Sequence, residues 1–248
     1  MYSTSFEDFT PGAMSSGGTT QGGWSGGAQS DFANNDVGDE QIVNTEAHTG
    51  SQSWHYARGY NSPGQGTPFT PNLSPSFQNV GDIMTVNLWF KAHTSGDGSL
   101  LAIEMGNVAG NDRSEIIAYI DNTASGINIR SFTGGAFISV PIASALDASV
   151  WHELSFTMTR TATDNAISVW VDGGTPVEFN GSLDDFREDL AAPYSESSRL
   201  KFRTRHADGN LSFNGFYIDD ITVAVPEPGS MVLSGLAVIG LAARRRRA

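Results

Sequence analysis

Every second residue is apolar over long stretches of this chain, and the phase of that alternation marks strands. In 83–92, "IMTVNLWFKA", Met84, Val86, Leu88 and Phe90 fall on one face, and Thr85, Asn87, Trp89 and Lys91 on the other. Residues 99–106, 114–121 and 126–132 repeat the pattern, separated by Gly- and Asn-rich breaks. In 151–161, His152, Leu154, Phe156 and Met158 share a face, and 166–174 ends in Asp-Gly, a hairpin signal. Segments 199–206 and 215–225 complete the set. No long amphipathic helix and no repeat of domain-building length is visible; "LDDFREDLA" (183–191) reads as one turn of surface helix. Antiparallel strands with no helices to cover a parallel sheet predict an all-β fold, an antiparallel two-sheet β-sandwich of the jelly-roll kind. Residues 1–224 read as one domain, with 10–40 (Gly/Ser/Asn-rich) and 61–76 (four prolines) as long irregular loops. Trp24, Trp54, Trp151 and Trp170 are expected in the core or under loops.

The pattern changes at Val225. Val225-Pro226-Glu227-Pro228 cannot continue a helix and predicts an extended hinge. Residues 229–243 carry no charge, and Arg244, Arg245, Arg246 and Arg247 follow. This predicts a short C-terminal hydrophobic helix ending in an Arg cluster. The run is shorter than the roughly 20 residues of a full span, although arginines extend its reach by snorkelling. Positive charge after an apolar segment holds that end on the cytoplasmic side, so the domain before it lies outside.

Composition sharpens that contrast. The 248 residues include 28 Gly and only 17% charged residues, and the net charge is −13. Residues 1–225 hold 10 basic and 26 acidic side chains, a net of −16. Such a body repels nucleic acid and anionic lipid and attracts cations. Cysteine is absent, which excludes disulfides, thiolate zinc sites and cysteine nucleophiles.

The order of motif, apolar run and basic cluster in 225–248 resembles the PEP-CTERM sorting signal of Gram-negative bacteria. The resemblance implies export to the cell envelope or extracellular space with transient membrane anchoring. It implies an exosortase-type membrane protease as partner, one that recognises Pro226-Glu227-Pro228 and removes the stub. The family is associated with exopolysaccharide-producing cells. The chain opens "MYSTSFEDFTPGAMSSGG", without the basic and apolar regions of a secretory signal, so the expected true start lies upstream of Met1.

The body carries a second resemblance. "SVWHELSFTMTRTATDNAISVWVDGG" is similar to the paired strands of concanavalin A-like, laminin G-type domains. "FEDFTPG", "AHTGSQSWHY" and "FYIDDITV" resemble extracellular jelly rolls of the MAM and carbohydrate-binding kinds, in which first and last strands lie side by side. In those jelly rolls, acids on the first and last strands share a Ca2+. The resemblance places Glu7, Asp219 and Asp220 there, as ligands of a structural Ca2+. The alternative is that Asp219 and Asp220 face opposite sides of one strand, with one simply bonding a loop.

Catalytic signatures are missing. The Glu-x-Asp-x-x-Glu strand of sandwich glycosidases does not occur, and Glu104, Glu115 and Asp121 have the wrong spacing for it. Asp184, Asp185, Glu188 and Asp189 read as a solvated acidic turn, and His152, on an apolar face, as a satisfied core histidine. No nucleophile elbow, phosphate loop or His-Glu-x-x-His is present. A binding face has better support. Asn87 and Trp89 lie opposite the core side of their strand, and Lys201, Arg203 and Arg205 share one side of theirs. A flat aromatic ring beside hydrogen-bond donors suits sugar recognition, and Arg suits a sugar carboxylate. The plainer alternative pairs these cations with neighbouring acids and covers Trp89 with a loop. The expectation is an exported, non-catalytic surface or matrix protein whose sandwich binds carbohydrate. The alternatives are a glycan-active hydrolase or lyase and a purely structural matrix protein.

Overall fold

The alternation read from the sequence is the alternation of burial. Met84, Val86, Leu88 and Phe90 are fully buried, as are Leu154, Phe156 and Met158, while the residues between them are partly exposed or tucked beneath outer-face neighbours. The structure is a computed structural model and describes residues 1–16, 19–26, 40–57, 68–71, 73, 77, 79–107, 114–133, 138–162, 164–182, 197–206 and 214–226. The expected C-terminal helix, the turn at 183–191, and Glu227, Pro228 and Arg244 to Arg247 lie outside the described residues. Among those described, no helix is long and apolar enough to cross a membrane.

Two antiparallel sheets face each other. The larger runs β16 (Val177–Ser182), β15 (Asp164–Val171), β14 (His152–Arg160), β9 (Ile83–Ala92), β18 (Phe216–Ala224), β7 (Ser53–Tyr56), β6 (Glu40–Val43), β2 (Gly12–Ala13), with β1 (Tyr2–Thr4) also paired to β18. The smaller runs β13 (Ile138–Leu146), β12 (Gly126–Thr133), β11 (Ser114–Thr123), β10 (Ser99–Asn107), β17 (Ser197–His206), β8 (Pro68–Phe69), β5 (Ser25–Gly26). A two-stranded ribbon, β3 (Ser15–Ser16) with β4 (Thr19–Thr20), and one 3-10 turn at Gln21–Gly23 complete the described elements. The segments read as irregular thus contain short strands, β2 to β5 in 10–40 and β8 in 61–76, too brief to show a period in sequence.

Between the sheets lies one apolar core. Trp24 and Trp54 meet edge to face with ring centroids 5.1 Å apart, and Phe202 packs on both. Phe6 is fully buried beside them although its φ is 61°, a left-handed conformation uncommon for a bulky residue. A satellite cluster of Leu100, Ala102, Ile116 and Tyr119 covers the outer side of the smaller sheet.

The β15–β16 hairpin turns through Val171-Asp172-Gly173-Gly174, with Asp172 at φ 51° and Gly173 at φ 67°, and Gly174 N–H donates to the Val171 carbonyl at 2.8 Å. Positive φ at both central residues is the hairpin geometry that Asp-Gly favours. The Asp172 carboxylate then bonds His152 Nδ1 at 2.7 Å and accepts the Glu153 N–H at 2.8 Å, while His152 Nε2 meets the Asp147 carbonyl at 2.8 Å. His152 is a buried histidine with both ring nitrogens satisfied, as its apolar face indicated.

First and last strands do lie side by side, in register Tyr2↔Val223 to Thr4↔Ile221. On the same edge, Phe216–Ile218 pair with β7 instead. β18 changes partner at Asp219-Asp220, and there a bulge opposite β9 puts Asp220 at φ 46°. The loop 44–52, which leads into β7, fills this gap.

Candidate functional site

The gap in β18 is closed by carboxylates. Asp219 is 0% exposed and its oxygens accept the His48 N–H at 2.9 Å, the Thr49 N–H at 3.3 Å and the Asp220 N–H at 2.8 Å. Asp220 bonds His48 Nδ1 at 2.7 Å and the Thr49 hydroxyl at 2.8 Å. Glu7 accepts the Ser51 and Gln52 N–H groups, both at 2.8 Å, and the Ser51 hydroxyl at 2.9 Å. Burial pushes the Asp219 carboxyl up to about 6 against the pull of its N–H donors. The donors to Glu7 hold its carboxyl below the usual range. The structure thus brings Glu7, Asp219 and Asp220 onto one loop, and their oxygens serve as acceptors for its N–H and O–H groups. Among the described residues no three His, Asp or Glu side chains are grouped to hold a metal ion.

What the staples hold down is His48. Its ring lies on Trp89, and both sit on the outer face of the larger sheet, where Trp89 pairs in register with Asp219 and with Glu153. Trp151 packs edge-on to His48 at 5.8 Å and donates its indole N–H to Glu46 at 3.0 Å. Glu46 also accepts from Lys91 at 2.8 Å. Tyr217 lies 6.4 Å from Trp151 and about 5 Å from both His55 and His93. Burial raises the Tyr217 hydroxyl and lowers the His55 imidazole from their ordinary values. The result is a partly exposed aromatic patch: Trp89, Trp151 and Tyr217, with Trp170 on the same face two strands over. Asn87 is one step along β9, its Oδ1 accepting the Ser155 hydroxyl at 2.8 Å.

Lys201 and Arg203 lie elsewhere. They are on β17, in the other sheet, and the structure does not bring them together with Asn87 and Trp89. Both converge on Glu104, which is 0% exposed: Lys201 Nζ is 3.4 Å from one oxygen, and the Arg203 guanidinium grips the other. Lys201 is itself only 5% exposed. Arg205 follows on the same strand phase, opposite Leu100, but its side chain lies outside the described residues. Arg130 pairs with Asp121 at 2.9 Å and stacks over Tyr119 and Phe132. Here the plainer sequence reading, cross-strand pairing, is what the geometry adopts. The carboxylates weighed as catalytic groups are likewise engaged: Glu104 by two cations and Asp121 by Arg130. The Glu115 side chain and the acids at 184–189 lie outside the described residues.

Sequence reasoning missed His48, Glu46 and Tyr217, and it expected Trp151 and Trp170 in the core or under loops, whereas both are partly exposed on the outer face. Tyr217 was within reach, since it sits on the outward phase of β18. His48 and Glu46 were not, because a loop carries no period to say which strand it crosses.

Comparison with known proteins adds two things. Residues 224–247 match the PEP-CTERM protein-sorting motif, which implies export and processing by exosortase, a membrane protease. No curated protein sequence matches the chain. The sandwich, however, has known relatives in fold. A carbohydrate esterase of the Shiga toxin-encoding bacteriophage phi24B is 16% identical over 83% of this chain and 91% of its own, with a TM-score of 0.52. A structure described with the endo-acting O-glycanases of human gut microbiota is 11% identical over 92% of this chain and 99% of its own, with a TM-score of 0.50. A carbohydrate-binding module from Bacillus subtilis is 11% identical over 81% and 94%, with a TM-score of 0.41. At these identities the likeness is one of fold: a β-sandwich jelly roll.

Proposed function

We propose that this is an exported, non-catalytic surface protein whose β-sandwich binds polysaccharide through the outer face of its larger sheet. The observation that carries the reading is the aromatic patch. Trp151, Trp170 and Tyr217 are partly exposed on one face, with Trp89 beneath the His48 ring beside them, in a protein whose largest aromatic residues otherwise fill the core. Flat rings edged by Glu46, Lys91 and Asn87 offer apolar stacking and hydrogen bonds together, which is what a sugar ring takes up. The sorting motif supports a place outside the cell, where polysaccharide is the abundant polymer. Exosortase acts on the tail, and the carbohydrate contact belongs to the body.

A glycan-active enzyme is the second reading, favoured by the named activities of the esterase and O-glycanase that share the fold. The test is binding of the full chain to a panel of soluble polysaccharides, with reducing ends followed in the same tubes. Saturable binding that falls tenfold or more in Trp151→Ala, without released ends, is the expected result. Released ends would establish the enzyme instead. Neither binding nor release would leave a structural matrix protein.

A further inference from the structure

Register fixes which outward side chains line up across the larger sheet. Trp170 pairs with Ser155, Ser155 with Asn87, Asn87 with Thr222, and Thr222 with Ser3. The next outward row is Ser168, Thr157, Thr85 and Ala224. The first row contains no charged residue, and the second meets one only where Ser168 pairs with the exposed Glu178 of β16. The first row crosses five strands, about 19 Å at the usual strand spacing. Trp170 stands at one end. At the other, Ser3 and Thr222 form part of the wall of a cleft of about 790 Å3, lined also by Phe9, Gln21, Glu7 and Asp220. Row and cleft are therefore one continuous surface. Along it the Asn87 amide N–H groups and the Thr222 hydroxyl have no partner among the described residues, while Asn87 Oδ1 is fixed by Ser155.

We propose that an uncharged polysaccharide lies across the strands of this sheet, along Trp170, Ser155, Asn87, Thr222 and Ser3, with one end in the cleft beside Phe9. This rests on the reading of the larger sheet as a carbohydrate face and specifies its ligand. The floor offers short hydroxyl and amide groups, which match sugar hydroxyls without the desolvation cost of buried charge. Trp170 edges it as a stacking surface, while the face of Trp89 beside Asn87 is taken by the His48 ring. Among the described residues the cleft is lined by Glu7, Asp8 and Asp220 and by no basic residue, so a uronate or sulfated chain is repelled where a neutral one is accepted.

The experiment uses the full chain, a neutral glucan, mannan and xylan, two polyuronates, and the variants Thr222→Lys, Ser3→Lys, Trp170→Ala and Trp151→Ala. Melting curves first establish that each variant folds, and hydrogen exchange with and without polymer reports where it lies. The expected result is binding to at least one neutral polymer, insensitive to salt, with protection along β1, β18, β9 and β14. Thr222→Lys, Ser3→Lys and Trp170→Ala each weaken it tenfold or more. A wild type that binds no polymer would overturn both this inference and the reading beneath it. Wild-type binding lost in Trp151→Ala but unchanged in the three row variants would overturn the track alone. So would a preference for polyuronates.

Discussion

His48 lies flat on Trp89, ring centroids 3.7 Å apart and planes 12° from parallel. That is where a sugar ring would stack, so His48 occupies the position of a ligand on its own protein. Asp220 and the loop staples hold it there. His48→Ala is therefore expected to uncover Trp89. The cost is one hydrogen bond to a carboxylate and one ring stack, about 2–4 kcal/mol together. Acrylamide quenching of tryptophan fluorescence should rise, and affinity for a neutral polymer should stay level or improve. Loss of binding would make His48 part of the site instead of its cover.

Asp219 gives the loop a pH signature. Its carboxyl is raised to about 6, so the native state takes up a proton that the unfolded chain, with an ordinary carboxylate, does not. The contribution of this group is fully present below the ordinary carboxylate value and is lost as pH rises through about 6. Glu7 and Asp147 run the other way: both are depressed, so their support is present above the ordinary value and lost as pH falls. The net curve mixes the two, and a difference experiment separates them. The melting temperature of wild type minus that of Asp219→Ala should increase as pH is lowered from 7 to 4. A flat difference would mean that Asp219 does not titrate in this window.

The smaller sheet offers a stability test. Glu104 is 0% exposed and compensates both Lys201 and Arg203, so removing it leaves two cations packed against a satellite cluster of Leu100, Ala102 and Tyr119. Glu104→Ala is expected to cost about 3–5 kcal/mol. Replacing all three by apolar residues of similar volume should cost much less. A single variant that melts like wild type would show that the triad is solvated and contributes little.

How much of this was legible follows the same physics. β9, β14 and β15 were readable because one side of each is buried and the other is not, and a period of two records that difference. β13 was not: its residues, including Pro141, are mostly exposed on both sides, as an edge strand allows, so no alternation exists to read. β7 failed for the opposite reason, all four of its residues being buried. For the site, Asn87 and Trp89 were placed correctly on an outward face, but the sequence could not say that Lys201 and Arg203 point out from the other sheet. That depends on which strands share a sheet, information carried by long-range pairing. The sequence offered the alternative that one of Asp219 and Asp220 bonds a loop, but it could not say that both do, that Glu7 joins them, or that the loop is 44–52.

Those acids make the calcium expectation testable. With their oxygens engaged by Ser51, Gln52, His48 and Thr49, melting curves in millimolar Ca2+ and in chelator are expected to coincide. An ion that bound the native state at one hundred times its Kd would add about 2.7 kcal/mol and be plain in the comparison. Such a rise would mean that Ca2+ displaces the loop donors.

The junction with the sorting motif sets the last prediction. β18 ends at Ala224, Val225 is 7% exposed and packs with the core cluster, and Pro226 is exposed. Among the described residues the core therefore extends to Val225, and the Pro-Glu-Pro motif begins at the next residue. Processing at or after Pro226 leaves every core contact of the described residues intact, whereas a cut before Val225 removes a buried valine, worth about 1.5–3 kcal/mol. A chain ending at Pro226 should melt within a degree of the full chain, and one ending at Ala224 clearly lower. On the cell surface, the intact mass should lack Arg244 to Arg247 and end no earlier than Pro226. An exported form that keeps the arginines would mean that the motif is not processed. A form ending before Val225 would mean that the protease acts on a domain whose last strand is not yet seated.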